Sequence, residues 1–157
     1  MKHLRVIIGG LAATAAMTLF LLAAPLVGLP AMNTGEMLGA ILGNSEVAGW
    51  VMHFVIGVFF AYIYALFFNE WLPVINPIAR GVLFGIIVLV FSEIVLTVIN
   101  LAGFFTWDMK KDMAISIFTN MLACFVYGSV LGGIMKEYRI ENGLHWEKKK
   151  YLKFKEH

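Results

Sequence analysis

ARGVLFGIIVLVFSEIVLTVINL, residues 79–101, is the stretch whose reading decides the fold. From Val82 to Val90 no polar side chain interrupts it. A barrel strand would alternate polar and apolar positions over about ten residues, so this run reads as a helix. Its length matches the ~20 residues that a helix rising ~1.5 Å per residue needs to cross ~30 Å of hydrocarbon. Three further runs have the same character. The reading is all-α, a polytopic membrane protein whose four transmembrane helices cover about 6–29, 48–68, 79–101 and 114–135.

Composition agrees with that reading. Of 157 residues, 61% are hydrophobic and 14% charged, against roughly 45–50% and about 25% in a soluble domain. The first run follows Lys2 and Arg5, as a secretory leader would, but it far exceeds the 7–15 apolar residues of such a leader and reads as a retained span. The single cysteine, Cys124, falls inside the fourth run, which excludes an intramolecular disulfide.

Ten of the twelve basic residues lie on one side of these spans: Lys2 and Arg5 before the first, Arg80 between the second and third, and the rest after the fourth. Lys110 and Lys111 lie on the other. The positive-inside rule then predicts cytoplasmic N- and C-termini and a cell (inner) membrane location. Residues 1–135 form the transmembrane domain and 136–157 a basic juxtamembrane tail. In that tail Lys148, Lys149, Lys150, Lys153 and Lys155 are interleaved with Trp146, Tyr151 and Phe154. Each base adds about 1 kcal/mol of attraction to an anionic leaflet. Lipid headgroups are therefore the expected partner of the tail, and nucleic acid is not.

Between the first two spans, Pro30 to Gly43 carries Met37, Leu38, Ile41 and Leu42 at helical spacing and reads as a short amphipathic or re-entrant segment. The two halves of the chain read as a parallel repeat of helical hairpins. His53-Phe-Val-Ile-Gly57 aligns on Cys124-Phe-Val-Tyr-Gly128 at an offset of 71, and Val6-Ile-Ile-Gly9 on Val82-Leu-Phe-Gly85 at 76. Gly81 and Gly85, and Gly128 and Gly132, stand four apart, the spacing that lets helix backbones approach in lipid.

Ionisable groups inside lipid are costly, roughly 2.5–3.5 kcal/mol on insertion scales for a central Asp, Lys or Arg, so each marks a candidate site. Two qualify, His53 and Glu93. Counted from the far ends of their helices, they lie at depths of ~7–8 and ~12 Å, which allows contact. Glu93, Thr97 and Asn100 share one helix face, as do Ser116, Asn120 and Cys124, and Thr14 and Thr18 add hydroxyls from the first span. This polar cluster supports two expectations: a solute or proton site with Glu93 as the titrating carboxylate and His53 as its relay, or hydrogen bonds that hold helices together.

No phosphate loop, nucleophile elbow or zinc-protease motif occurs, so an enzyme is not expected. His53 is the one histidine inside a span, which excludes bis-histidine haem within one chain. A metal held by His53, Glu93 and Cys124 would require three helices to converge without any ligand-spacing motif. Neither a metal nor a cofactor is expected. Two functions remain. One is a non-catalytic accessory or structural subunit that packs against other membrane subunits. The other is a small solute or proton-coupled transporter or channel, working as a homo-oligomer with Glu93 and His53 on the path. The cytoplasmic halves of the spans are almost wholly apolar, which favours the subunit.

Gly10-Leu-Ala-Ala-Thr14 with Thr18, Met37-Leu-Gly39, and Trp50-Val-Met-His53-Phe-Val-Ile-Gly57 with Ala61 and Tyr64 together resemble an uncharacterised family of small bacterial four-helix membrane proteins. The likeness covers most of residues 8–66 and is weaker beyond. It implies a bacterial inner membrane and supplies no activity. Similar proteins often carry a second histidine at the position of Cys124, and its absence here weakens mechanisms that need a histidine pair.

Overall fold

The computed structural model describes residues 2–68, 76–103 and 114–136. Helix α1, Lys2–Ala23, starts in the basic segment, where Lys and Arg are good helix formers. It tightens into a 3₁₀ turn, Ala24–Val27, that holds Pro25 and closes on Gly28 at φ 80°. Helix α2, Thr34–Gly39, is capped by Asn33, whose side chain accepts the Glu36 N–H at 3.1 Å. Helix α3, Glu46–Ile63, is capped by Ser45 and runs on through a π-helical turn at Tyr64–Phe68. Helix α4, Pro77–Leu101, has Asn76 as its cap and a proline in its first turn. Helix α5 covers 114–136.

Among the described residues four helices are long and apolar enough to cross a membrane: His3–Val27, Glu46–Phe68, Pro77–Leu101 and Ala114–Lys136. They match the spans read from sequence to within a few residues. Their outward faces carry exposed Leu19, Val55, Phe59, Ile94 and Val98, a surface that is stable facing hydrocarbon and costly facing water.

The segment 30–43 resolves into α2 and its turns. Met37 and Leu38 are buried, as their spacing predicts, whereas Leu42 is exposed beyond the helix. A side chain at Gly49 would collide with the Gly35 carbonyl, and one at Gly35 with the Trp50 indole. Helix α2 therefore lies on the first turns of α3, capping one end of the bundle. We call this the capped end, and the end carrying Arg80 and Lys136 the tail end.

The hairpins repeat with one register. Gly10 of α1 meets Gly57, Val58 and Ala61 of α3, while Gly81 of α4 meets Gly128 and Gly132 of α5. Thr14 faces Gly57, and Gly85 correspondingly faces Gly128 and Cys124. Gly10 thus corresponds to Gly81, Thr14 to Gly85 and Gly57 to Gly128, all at the offset of 71. The offset of 76 expected for the first helix pair is corrected. Uniformly apolar helices slide by a turn with little change in composition, and the small residues at the crossing fix the register.

Arg80, counted with the basic residues between the second and third spans, is 1% exposed in the first turn of α4. The core beneath it is aromatic: Phe60, Tyr64 and Phe68 all pack edgewise on Phe84, at 5.1–6.2 Å. These contacts join α3 to α4 towards the tail end, while Phe60 also reaches Phe91, about two turns further along α4. The tail, including Lys148, Lys149, Lys150, Lys153 and Lys155, and the loops around Trp71 and Trp107 lie outside the described residues.

Candidate functional site

A cavity of about 360 Å³ lies in the half of the bundle under α2, within the range of small-molecule sites. Its floor is near the middle of the bundle, where Tyr127 of α5 donates its hydroxyl to the Gly57 carbonyl at 2.6 Å beside Thr14. Its roof is α2 and the chain leading into it, through Met32, Thr34, Met37 and Leu38. Towards α3 and α4 it is edged by Phe59 and Phe91, which also lie 60% and 46% exposed on the bundle's outer surface. The cavity thus reaches the bundle's outer surface at these two residues, beside the Phe60–Phe91 ring contact that joins α3 to α4.

The wall is mostly apolar, with Met17, Met32, Met37 and Met52 contributing flexible thioethers that adapt to irregular ligands. Polar groups gather in a few places. His53 is buried, with its Nε2 and the Thr18 hydroxyl 3.3 Å apart. Trp50 and Phe54 hold its ring edge-on at about 6 Å. On the other side Asn120 donates to Ser92 at 2.9 Å and to Glu93 at 2.7 Å, and both Asn120 and Ser92 line the cavity.

The residues singled out from sequence are thus divided. Glu93 and His53 have different partners and do not bond each other, and Glu93 is not among the lining residues. Asn120 takes the carboxylate through its amide. Thr97 is exposed and returns its hydroxyl to the Glu93 carbonyl, so the expected α4 stripe of Glu93, Thr97 and Asn100 does not turn into the bundle as a unit. The α5 stripe does: Ser116, Asn120 and Cys124 are all buried. Cys124 lies one turn from Asn120, 3.8 Å from its amide oxygen.

Ser92, Tyr127, Met17, Met32 and Met52 were not among the candidate site residues of the sequence. Ser92 stands next to Glu93 and drew no separate signal, while Tyr127 lies in the very segment aligned with the first hairpin. Gly81, Gly85, Gly128 and Gly132 sit at the α4–α5 crossing, where backbones touch directly. Among the described residues no three His, Cys, Asp or Glu side chains group as metal ligands.

The family model for a family of unknown function, DUF6789, matches residues 1–144, nearly the whole chain. The chain belongs to the DUF6789 family. No curated protein and no solved structure matches it. For this DUF6789 protein, chemistry must therefore be read from the cavity. Its hydroxyls are largely committed to backbone carbonyls, Thr14 to Gly10 at 2.8 Å, Ser92 to Leu89 at 2.8 Å and Tyr127 to Gly57. None of these three is hydrogen-bonded to a general base that would activate it as a nucleophile.

Proposed function

We propose that this protein is a non-catalytic accessory protein of the membrane that holds an apolar small molecule within its own bundle. The cavity under α2 carries this reading, being enclosed by helices on most sides and open towards the surrounding lipid between Phe59 and Phe91. The committed hydroxyls support a holding role over a catalytic one. The opposite half of the bundle supports holding over conduction: there Phe84, Leu131 and Met135 are fully buried, and the glycine crossings bring backbones together.

With the termini in the cytoplasm, as the basic residues predict, the cavity occupies the non-cytoplasmic half of a bacterial inner membrane. A ligand held there is presented to partners in the same bilayer, which is how a small subunit would serve a larger complex. Native mass spectrometry of the full chain, released from membranes in mild detergent, tests the proposal. A stoichiometric bound mass is expected in the wild type, and its loss in Val95→Trp, which puts an indole into the wall near the mouth. A wild-type protein that carries nothing, or a Val95→Trp protein that carries the same load, would contradict it.

A further inference from the structure

Charge is the first constraint on what the cavity takes. Among the described residues no lysine, arginine or carboxylate lines it, so an ionised head would lose its water without gaining a counter-charge. The ligand is therefore uncharged.

Hydrogen-bonding capacity is the second. Thr14, Ser92 and Tyr127 each spend their single O–H on a backbone carbonyl, so towards a ligand their oxygens can only accept, and Ser92 already accepts from Asn120. Both amide protons of Asn120 are spent on Ser92 and Glu93. His53 is the exception. It is 8% exposed, one ring nitrogen lies against Thr18, and among the described residues no hydrogen bond engages the other. Nδ1 is a donor where the Thr18 hydroxyl donates to Nε2 and an acceptor in the other tautomer, and a ligand hydroxyl answers it either way. The site thus offers several acceptors, the Thr34 hydroxyl at its roof and one imidazole nitrogen. A carbonyl compound such as a quinone, which only accepts, would leave the acceptors unanswered, and an ether likewise. A hydroxyl both donates and accepts.

Access is the third. Gly35 and Gly49 hold α2 against α3 at backbone contact over the capped end of the cavity, while on the α3 and α4 side its edge residues Phe59 and Phe91 reach the outer surface. His53 stands seven residues into α3, ~10 Å below its start, a depth reached by molecules dissolved in the bilayer.

We infer that the cavity binds an uncharged, lipid-phase alcohol that enters sideways between α3 and α4 and places its hydroxyl between His53 and the Thr14 and Tyr127 oxygens. This rests on the ligand-holding reading above. The Ser92 and Asn120 side then contacts the apolar body beside the head.

The test uses the full chain in nanodiscs and equilibrium binding of three radiolabelled probes of equal chain length: oleyl alcohol, methyl oleyl ether, and oleic acid at mildly alkaline pH. Oleyl alcohol should bind at least about tenfold more tightly than the ether, as loss of a buried hydrogen bond requires, and the acid more weakly still. In His53→Phe and Thr14→Val the alcohol should fall towards the ether's affinity while the ether stays unchanged, a pattern that a misfolded protein would not give. Equal binding of alcohol and ether to the wild type, abolished by Val95→Trp, would overturn the alcohol assignment and leave the cavity reading standing. Binding of none of the probes, or binding indifferent to Val95→Trp, would overturn both.

Discussion

Asn120 sets the balance of polar groups between α4 and α5. Its amide protons reach Ser92 and Glu93 on the facing helix, so it ties the carboxylate down as interhelical glue. Side-chain hydrogen bonds of this kind average about 0.6 kcal/mol in membrane bundles, with measured maxima near 1.7. Asn120→Leu is expected to lose about 0.6–2 kcal/mol of unfolding free energy, read from denaturation in mixed micelles. Glu93→Gln keeps an acceptor facing Asn120 and should cost less than half as much by the same measurement. A larger loss for Glu93→Gln than for Asn120→Leu would restore Glu93 as more than a partner of that amide. The candidate residues were legible in the sequence because charge and amide groups stand out against apolar runs. Their pairing was not. Helical spacing places Glu93 with Thr97 on one face, but which face meets a neighbour depends on helix rotation, which residue spacing alone does not specify. Ser92, one position away, is the residue that shares Asn120.

At the scale of the helices, small residues set the architecture. A Cβ at Gly128 would strike the Gly81 carbonyl, and one at Gly81 the Gly128 carbonyl. Gly128→Ala should therefore force α4 and α5 apart and cost about 1–3 kcal/mol, the range for overpacking a tight core. Gly133, which has open space around it, should accept alanine with no loss, and the pair of variants compared in one denaturation series checks the register. The four spans were readable almost to their ends because length and hydropathy suffice to identify a membrane helix. Helix α2 was readable as an amphipathic segment, and Asn33 three residues before Glu36 marks its start. Its docking on α3 was not, since it depends on Gly35 and Gly49 meeting across a turn that passes through Asn44 at φ 59°. The offset of the repeat was misread for a related reason. Val6 to Gly9 resembles Val82 to Gly85 in composition, but Gly10 and Gly81 are the residues that touch their partners.

Across the whole molecule the two ends differ. The tail end is closed by Phe84, Leu131 and Met135, and the capped end holds the cavity. The basic residues predict that these ends face opposite compartments. In a Cys124→Ser background, single cysteines at Asn44 and Lys136 should react with a membrane-impermeant maleimide from opposite sides of the bilayer, Asn44→Cys in intact cells and Lys136→Cys after lysis. Labelling of Lys136→Cys in intact cells would invert the topology and place the cavity in the cytoplasmic half. The cavity itself was illegible in the sequence, because a void is defined by what five helices fail to fill and no single residue signals it. His53 pointed to it only as a buried histidine.

The most direct measurement of the central claim is photo-crosslinking in living cells from a benzophenone amino acid placed at Val95, in the cavity wall, and at Phe118, on the exposed face of α5. Intact-mass analysis would then read the adducts. The account predicts a single dominant adduct mass at Val95 and the mixed phospholipids of the bilayer at Phe118. The same mixture at both positions would show that the cavity holds nothing but bulk lipid, and would contradict it.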